Sequence, residues 1–418
     1  MVAAFPTVKL ADCVDLLAGF AFKSQHFSDR PDDISLVKGE NVSQGCILWE
    51  ISKRWSAAEW PKLEKFQLWP GDVVVAMDRP WVPAGLKWAY IRRDDPKALL
   101  VQRCSRLRSK TARLDQDFLR FVIGGPGFES YVRPITTGVN VPHISGKQIL
   151  DYEFGLPPLP VQQRIASILS AYDELIENSQ RRIKILESMA RALYREWFVH
   201  IRFPGHENHP RVASPLGEIP QGWEVKTVAD AFVISGGGTP SRKEDEFWTN
   251  GTIQWYSPTD LTRAGTMFID DSSDHITERG LAQSSARMFP ARSVMLTSRA
   301  TIGAIAINTQ PACTNQGFIT CLPNDRVPLY YLFHWLTENV PTFQRMASGA
   351  TFKEISRGVF KTIEFLQPAD DLVGRFETLA VPMAEQVIAL QRKIQNLRRT
   401  RDLLLPRLLS GQIDVEAA

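Results

Sequence analysis

The side chains that could perform covalent chemistry are scattered along this sequence rather than grouped in catalytic spacing. Lys147 follows Gly138 at the wrong interval for a phosphate-binding loop and has no hydroxyl residue after it. His206 and His209 lie in a proline-rich stretch without a second pair of ligands, which is more typical of solvated histidines than of a metal site. Gly236–Gly238 lacks the spacing of a dinucleotide-binding turn and indicates a mobile or positive-φ loop. We therefore expect no catalytic residue, metal or cofactor on this chain.

Polar loops offer a different chemistry, hydrogen bonding to nucleic acid. Four loops in the second half of the chain combine the Arg, Lys, Thr, Ser, Asn and Gln side chains that bond phosphates and base edges. Because such residues also populate ordinary turns, each loop alone is weak evidence. The candidate DNA-binding residues of the second half are Thr239, Ser241, Arg242, Ser257, Thr259, Arg299, Thr301, Asn315 and Gln316. Those of the first half are Lys23, Lys38, Asn41, Arg79, Thr137 and Asn140.

The two halves that carry these loops are related by an internal repeat. A shift of 211 residues aligns 138–193 with 349–404, and 13 of the 56 aligned pairs are identical, against about three expected for unrelated segments. Val73 to Arg79 also resembles Val294 to Arg299, each run following a proline. We expect two α+β domains whose bodies have diverged because they recognise different targets.

Each half ends in a long helix with the same apolar spacing. Apolar residues recur every seven positions, the pattern of a coiled coil. The first seam contains Ile165, Tyr172, Leu186 and Leu193, and the second contains Phe376, Met383, Leu390, Leu397 and Leu404. A dimerisation zipper is one interpretation, but two matched seams in one chain favour each other through their high effective concentration. About 38 residues per helix would make a spacer roughly 57 Å long.

Composition is that of a large globular protein. The 418 residues are 44% hydrophobic and 23% charged, and the net charge of +3 is too small to establish a nucleic-acid partner. The five cysteines form no CxxC pair, which favours reduced thiols. No apolar run reaches the ~18 residues of a membrane span, and the first residues do not resemble a signal peptide. We expect no membrane partner and a cytoplasmic location.

Three stretches of the chain resemble the specificity (S) subunits of type I restriction-modification systems. They are the helix start Leu156–Ile165, the run Arg401–Ile413, and Gly237–Ser241 with the downstream Ile253-Gln254-Trp255 and Asp260. The resemblance covers essentially the whole chain. It implies two target recognition domains, each reading one half of a split double-stranded DNA site. It also implies two helices that pack antiparallel, set the gap between the half-sites and dock two modification subunits.

The resemblance assigns the chemistry to partner subunits. Adenine methylation with S-adenosylmethionine would belong to the modification subunits, and cleavage with ATP and Mg to a restriction subunit, so the chain itself would not be an enzyme. One alternative is a specificity module of another phage-defence or fused restriction-methylation complex. A second is a coiled-coil adaptor that binds only protein.

The expected organisation is α+β with an internal two-fold repeat. Target recognition domains occupy 1–155 and 223–366, spacer helices 156–203 and 367–413, and a linker 204–222. The second helix lacks the Pro-Leu-Pro-x-Gln-Gln start, and Pro382 lies inside its repeat, so a kink or a late start is expected. The basic helix faces, Arg181-Arg182-Lys184 and Arg398-Arg399-Arg401, are expected to be solvated or to meet a partner.

Overall fold

The computed structural model describes residues 5–136, 142–349 and 352–415. The chain divides into two compact units, one formed by 1–177 with 394–418 and the other by 178–393. Both boundaries fall inside the two long helices, so each unit contains an α+β domain and a part of each helix. Among the described residues, no helix combines the length and apolar character that crossing a lipid bilayer requires.

The first unit contains a five-stranded and a four-stranded sheet, with orders β2-β12-β7-β10-β4 and β5-β3-β11-β6. Its strands are β1 Thr7–Lys9, β2 Val14–Ala18, β3 Ile34–Val37, β4 Gln44–Gly45, β5 Arg54–Trp55, β6 Gln67–Leu68, β7 Val73–Ala76, β8 Trp81–Val82, β9 Gly85–Leu86, β10 Trp88–Tyr90, β11 Ala98–Leu100, β12 Cys104–Ser109 and β13 Glu153–Gly155. Its helices are α1 Leu10–Cys13, α2 Gln116–Ile123, α3 Pro126–Ile135, α4 Gly146–Leu150 and the first part of α5 Leu159–Tyr194.

Strand β7 lies at the centre of the first unit, with both of its faces buried. Val73 and Val75 belong to the core that includes Phe118 of α2, whereas Val74 and Ala76 belong to a second core on the opposite face. This alternation follows from the two-residue period of a strand. A continuous run of β-branched residues is therefore the pattern that such a doubly covered strand requires.

The second unit repeats this plan with a five-stranded and a three-stranded sheet, of orders β17-β24-β21-β22-β19 and β20-β18-β23. Its strands are β14 Arg211–Ser214, β15 Gly217–Pro220, β16 Glu224–Thr227, β17 Val233–Gly236, β18 Ile253–Tyr256, β19 Phe268–Ile269, β20 Asp274–Ile276, β21 Val294–Thr297, β22 Ile305–Asn308, β23 Ala312–Thr314, β24 Phe318–Leu322 and β25 Glu364–Gln367. Its helices are α6 Val228–Ala231, α7 Pro258–Ala264, α8 Glu278–Ala282, α9 Leu329–Met346, α10 Arg357–Lys361 and the first part of α11 Asp370–Leu409.

The repeat extends through the domain bodies, strand by strand. In both five-stranded sheets the last pair, β10–β4 or β22–β19, is parallel and the other pairs are antiparallel. The parallel pair β3–β11 corresponds to β18–β23, and the antiparallel pair β1–β13 corresponds to β16–β25. The predicted fold class, two α+β domains with two long helices and an internal repeat, is confirmed.

The two long helices run antiparallel within each unit. In the first unit, Ile165 and Leu408 share one core, and Asp173 Oδ1 accepts a hydrogen bond from Arg401 Nη1 at 2.7 Å. In the second unit, the rings of Tyr194 and Phe376 lie 5.8 Å apart. There, Leu186, Ala190, Ala380, Met383, Ala384 and Val387 line one narrow void. As residue numbers rise along α5, those of the contacting residues fall along α11.

The predicted seam residues lie on the inner faces of these helices. Ile165, Phe376 and Leu390 are buried. The partly buried members are Tyr172, Leu186, Leu193, Met383, Leu397 and Leu404. Arg401, expected on a basic face that is solvated or meets a partner, is half-buried and ion-paired with Asp173 of the other long helix.

Helix α11 begins at Asp370 and continues through Pro382, which is exposed, so the expectation of a late start is wrong. The segment predicted as a linker contains the antiparallel hairpin β14–β15. The side chains of His206 and His209 there bond the carbonyl oxygens of Phe203 and Gln221, each at 2.9 Å.

Candidate nucleic-acid interface

The four polar loops predicted in the second half meet at one segment, Thr314–Gly317, which we call the second central loop. Gly238 N donates to Thr314 O at 2.9 Å, and Asn315 N donates to Tyr256 O at 3.1 Å. Ser298 N donates to Gly317 O at 2.8 Å. Because each neighbouring loop is bonded to the central loop through its backbone, the four loops form a single cluster of fixed geometry.

The glycines that precede Thr239 are required by close packing. A Cβ atom on Gly237 would lie 2.1 Å from Asn315 O, and one on Gly238 would lie 2.4 Å from Ser285 O. Neither glycine has a positive φ angle. The expectation of positive φ angles is therefore wrong, because these glycines instead let two backbones approach each other.

Thr239, Gln316 and Arg242 lie on the exposed side of this cluster. Thr239 Oγ1 donates to Gln316 Oε1 at 2.6 Å, which links two of the predicted loops. The Arg242 guanidinium lies 3.6 Å from the ring centroid of Trp248 and donates to Asp274 Oδ2 at 2.6 Å. Arg242 is thus an exposed cation whose position is set by an aromatic ring and a carboxylate. Ser241 Oγ accepts from Lys243 N at 3.3 Å within the same loop.

Ser257 and Asn315 have structural contacts in addition to their place in the cluster. Ser257 Oγ donates to Asp260 Oδ2 at 2.7 Å, and Asn315 Oδ1 accepts from Gly317 N at 2.9 Å. Thr259, in contrast, is exposed on the first turn of α7.

Asp260 is the buried anchor of the turn that begins α7. It is 3% exposed and accepts hydrogen bonds from the backbone and hydroxyl groups of Ser257 and Ser273. Burial alone would raise the pKa of this carboxyl, but the hydrogen bonds from Ser273 and Ser257 lower it below its ordinary value.

Arg299 and Thr301 complete the second cluster and are both exposed. Arg299 Nε lies 3.8 Å from Glu354 Oε2, a loose ion pair in which both side chains are over 40% exposed. Such a pair holds the arginine weakly, so it can exchange its carboxylate for a phosphate or a base edge at little cost.

The first unit has the same arrangement around Leu100–Arg103, the first central loop. Phe20 N donates to Leu100 O at 2.9 Å, Val101 N to Val37 O at 2.9 Å, and Met77 N to Arg103 O at 2.7 Å. A Cβ on Gly19 would lie 2.2 Å from Val101 O, matching the close approach of Gly237. Sequence reasoning did not identify this loop as part of the site.

A cleft of about 500 Å³ opens beside the first central loop. Its polar lining includes Lys38 and Arg79, both predicted, together with Asp78, Gln102 and Arg103. Asp78 Oδ2 accepts from Arg103 Nη1 at 2.7 Å. The structure therefore brings Lys38 and Arg79 together, with Phe22 and Phe27 as apolar walls.

The remaining predicted residues of the first half lie outside the cleft or are buried. Lys23 is exposed but does not line the cleft. Asn41 is 1% exposed; its Oδ1 accepts from Lys38 N at 2.9 Å and its Nδ2 donates to Leu36 O at 3.0 Å. Its assignment as a DNA-contacting side chain is wrong, because its amide is used within the turn. Thr137 and Asn140 lie outside the described residues.

The backbone also corrects the alignment of the two arginines. Arg79 N donates to Pro142 O at 2.7 Å, and the equivalent bond in the second unit runs from Ala300 N to Lys353 O at 3.0 Å. Arg79 and Ala300 both have positive φ angles, 45° and 59°. Arg79 is thus equivalent to Ala300, so the sequence alignment of Arg79 with Arg299 is wrong by one residue.

Taken together, the chain is a duplicated protein in which each copy of an α+β domain presents a polar loop cluster and contributes to a pair of long helices. Comparison with known proteins identifies the family. The family described as "Type I restriction modification DNA specificity domain" matches residues 6–188 and 220–371. The chain belongs to this family.

Its relatives carry the same description. It is 24% identical to the type I restriction enzyme HindI specificity subunit of Haemophilus influenzae, over 93% of this chain and 95% of that protein. It is 38% identical to the MjaIX specificity subunit of Methanocaldococcus jannaschii, over 39% of this chain and 38% of the relative. The crystal structure of a type I restriction-modification S subunit from M. genitalium aligns with a TM-score of 0.61 and 14% identity, covering 97% of this chain and 96% of that one.

These findings confirm the predicted family and class of function. The family is one of DNA specificity components of type I restriction-modification systems rather than of catalytic subunits. In the described part of the chain, no three or more His, Cys, Asp or Glu side chains are grouped so that they could hold a metal ion.

Proposed function

We propose that this chain is the specificity subunit of a type I restriction-modification complex and reads a bipartite DNA site. Each unit reads one half-site through its own loop cluster. The observation that carries this assignment is the repetition, in both units, of a central loop held by three equivalent backbone hydrogen bonds. The duplicated framework is kept while the side chains on it differ, as expected if two similar domains recognise two different sequences.

Each cluster combines groups that bind phosphates with groups that bind base edges. Lys38, Arg79 and Arg103 line the cleft beside the first central loop, and Arg242 and Arg299 lie in the second cluster. Cations neutralise phosphates and fix the protein on the duplex, whereas amide and hydroxyl groups, and arginines that reach a base edge, discriminate bases. The net charge of +3 is small, so these local cations are the main electrostatic support for DNA binding.

The paired helices set the separation between the half-sites and dock the partner subunits. Exposed apolar side chains on the outer faces of α5 and α11 support the docking role, because a solvated helix does not need them. They are Leu175, Ile185, Met189, Leu379, Val381 and Leu403. We assign two modification subunits to these surfaces, with S-adenosylmethionine bound by them for adenine methylation. ATP and Mg would act on a restriction subunit.

The test is to purify the full chain with its co-expressed modification subunit and map the methylated sites on genomic DNA. The expected result is one split sequence with a constant gap. A complex that methylates without sequence preference would overturn the proposal. The alternative of a protein-only adaptor predicts no DNA affinity, whereas a DNA reader loses affinity steeply as salt rises. A specificity module of another defence complex would read the same split site with different co-purifying partners.

A further inference from the structure

Gln102 and Gln316 occupy the same position in the two central loops. In the first loop, backbone hydrogen bonds to Leu100 O and Arg103 O fix the register on either side of Gln102. In the second loop, the equivalent bonds to Thr314 O and Gly317 O do the same for Gln316. Across the four positions of Leu100–Arg103 and Thr314–Gly317, this glutamine is the one identical residue. The two domain bodies have diverged around it.

Both glutamines project from rigid backbone into solvent. Gln102 and Gln316 are exposed, although the residues that flank them are bonded to neighbouring loops. Gln102 N itself donates to Phe20 O at 2.8 Å. Gln316 Oε1 accepts from Thr239 Oγ1, which orients the amide. Within the described residues, the side-chain carboxamide of Gln102 forms no hydrogen bond. Because the backbone of both loops is already ordered, binding has to order only the glutamine side chain.

The surroundings distinguish these amides from ordinary surface glutamines. Gln102 lines the same cleft as Lys38, Arg79 and Arg103. In the second cluster, a Cβ placed on Gly317 would lie 3.8 Å from Arg299 Cβ, so that arginine is next to the central loop. Cations that can hold the DNA backbone thus lie beside each amide, which is where a base-reading group is needed.

A carboxamide has one acceptor and two donors, so it pairs with a base edge that offers one donor and one acceptor. In the major groove, adenine presents its N7 acceptor and N6 donor side by side, and Gln or Asn bonds both. Guanine presents two acceptors and suits arginine, and cytosine presents a donor and suits a carboxylate.

We propose that Gln102 and Gln316 each read one adenine, in the half-site bound by their own unit. This inference rests on the proposed function, because it requires that the loop clusters bind DNA. It adds a base identity to one position of each half-site, and it predicts that the two half-sites share that base although the rest of their sequences differ.

The experiment is a selection of bound duplexes from a randomised library, using the full chain with its modification subunit. Gln102→Ala should reduce the preference for adenine at one position of one half-site by roughly 5- to 150-fold, leaving the other half unchanged. Gln316→Ala should do the same in the other half. Gln310→Ala is the matched control, because Gln310 is an exposed glutamine in the turn between β22 and β23.

Gln102→Glu and Gln316→Glu should move the preference at the same positions from adenine to cytosine, since a carboxylate accepts from cytosine N4. A gain of new specificity cannot arise from misfolding. The inference is overturned if the wild-type complex selects a split site that the Gln102 and Gln316 variants select equally well, or if either variant alters both halves. If the wild-type complex selects no sequence, the proposed function itself fails and the inference fails with it.

Discussion

Asp78 and Arg299 occupy equivalent positions in the two domains and carry opposite charges. Each lies two residues after the central strand of its sheet, and each forms an isolated bridge, with His143 or Glu354 respectively. Asp78 Oδ1 lies 2.5 Å from His143 Nδ1, and Arg299 Nε lies 3.8 Å from Glu354 Oε2. Each pair contains one carboxylate, which follows the central strand in the first unit (Asp78) and lies on the opposite side of the bridge in the second (Glu354). The arginine at this edge of the cluster is Arg103 in the first unit and Arg299 in the second.

Asp78 also restrains Arg103, whose Nη1 donates to Asp78 Oδ2 at 2.7 Å. Asp78→Asn should release Arg103, so that the freed cation can neutralise one phosphate. The slope of log K against log salt should steepen by about 0.9 for this variant. Glu59→Gln is the control, because it removes the exposed partner of Lys62 outside the cleft. Slopes that match the control in titrations at several salt concentrations would contradict this role.

Arg79 and Arg299 should act on different half-sites. Arg299→Ala should cost about 1–3 kcal/mol of discrimination in the half-site of the second unit only, and Arg79→Ala the same in the other half. Arg79→Ala also places in the first unit the residue that the second carries at that position, Ala300, so the backbone conformation should survive. Methylation mapping of each variant complex measures the effect. A uniform loss of affinity for all sequences would instead identify a phosphate contact.

Asn41 and Asp260 are equivalent turn anchors that differ in charge. The side chain of each accepts a hydrogen bond from the backbone N–H of the residue three positions earlier. The donor is Lys38 N for Asn41 and Ser257 N for Asp260. Asp260→Ala should lower the free energy of unfolding by about 2–4 kcal/mol because several donors lose their acceptor. Asp260→Asn should cost less, since the first unit uses asparagine in this role. Urea unfolding of both variants tests the difference, and equal costs would be evidence against the equivalence.

The charge of Asp260 gives this stabilisation a pH dependence. Because its folded-state pKa is lowered from 3.8, the stabilisation is complete above that pH. It is lost as the pH falls through the folded-state value. Asp260→Asn should remove the part of the pH dependence of the free energy of unfolding that comes from this carboxyl. Unfolding curves of wild type and variant, recorded between pH 3 and 7, would measure the difference.

His334 is a buried histidine whose ring nitrogens have no hydrogen-bond partner among the described residues. It is 2% exposed and stacks on Tyr194 with the ring centroids 5.6 Å apart. Burial, with a smaller contribution from Arg191, lowers its pKa to about 3. The folded protein therefore keeps the ring neutral at a pH where the unfolded chain, with a pKa near 6.5, binds a proton. Stability should fall as the pH drops from about 6.5 towards 3.

His334→Phe should raise stability by about 1–2 kcal/mol at neutral pH, because it removes two unpaired buried nitrogens. The difference from wild type should widen by about 1.4 kcal/mol per pH unit below pH 6.5. Burial also raises the pKa of Glu377 to about 7. This carboxyl is present in both proteins, so its contribution to the pH dependence cancels when the two stabilities are subtracted. A difference that does not vary with pH would show that His334 is not held neutral.

The length of the paired helices should set the gap in the DNA site. Seven residues inserted after both Gln180 and Gln391 add one heptad to each helix and keep both seams in register. The helices lengthen by about 10 Å, close to three base pairs. The mapped gap should widen accordingly with both half-sequences unchanged. A heptad inserted in α5 alone is the control and should impair assembly. Altered half-site bases with a fixed gap would mean that the helices do not measure distance.

The helices could be predicted from the sequence in more detail than the loops. The seven-residue spacing predicted both seams because burial of a helix face leaves a periodic pattern, and identical pairs such as Ser145 and Ser356 mark helix caps. The loop clusters depend on backbone register, which composition does not reveal. Asn41 was misassigned because a buried turn anchor and an exposed amide have the same side chain.

Gln102 was missed because its neighbours, Leu100, Val101 and Arg103, form no polar run. A signal was nevertheless present in the sequence. A shift of 214 residues, close to the 211 of the helical repeat, aligns Gln102 with Gln316 and Cys104 with Phe318. The strand register confirms that alignment, because Cys104 pairs with Ala76 and Phe318 pairs with Thr297.

Residues 394–415 belong to the first unit, although they follow the second unit in the sequence. Leu408 and Val415 are buried in the core that contains Phe118 and Ile165, and Gly411 packs near Phe5. During translation, the first domain must therefore leave the ribosome with part of its core uncovered and wait for the whole second unit to be synthesised. A stop codon that removes Leu408 and Val415 would therefore damage the first domain, whose sheets are formed by residues before 156. Proteolysis of nascent or truncated chains should consequently begin in the first domain.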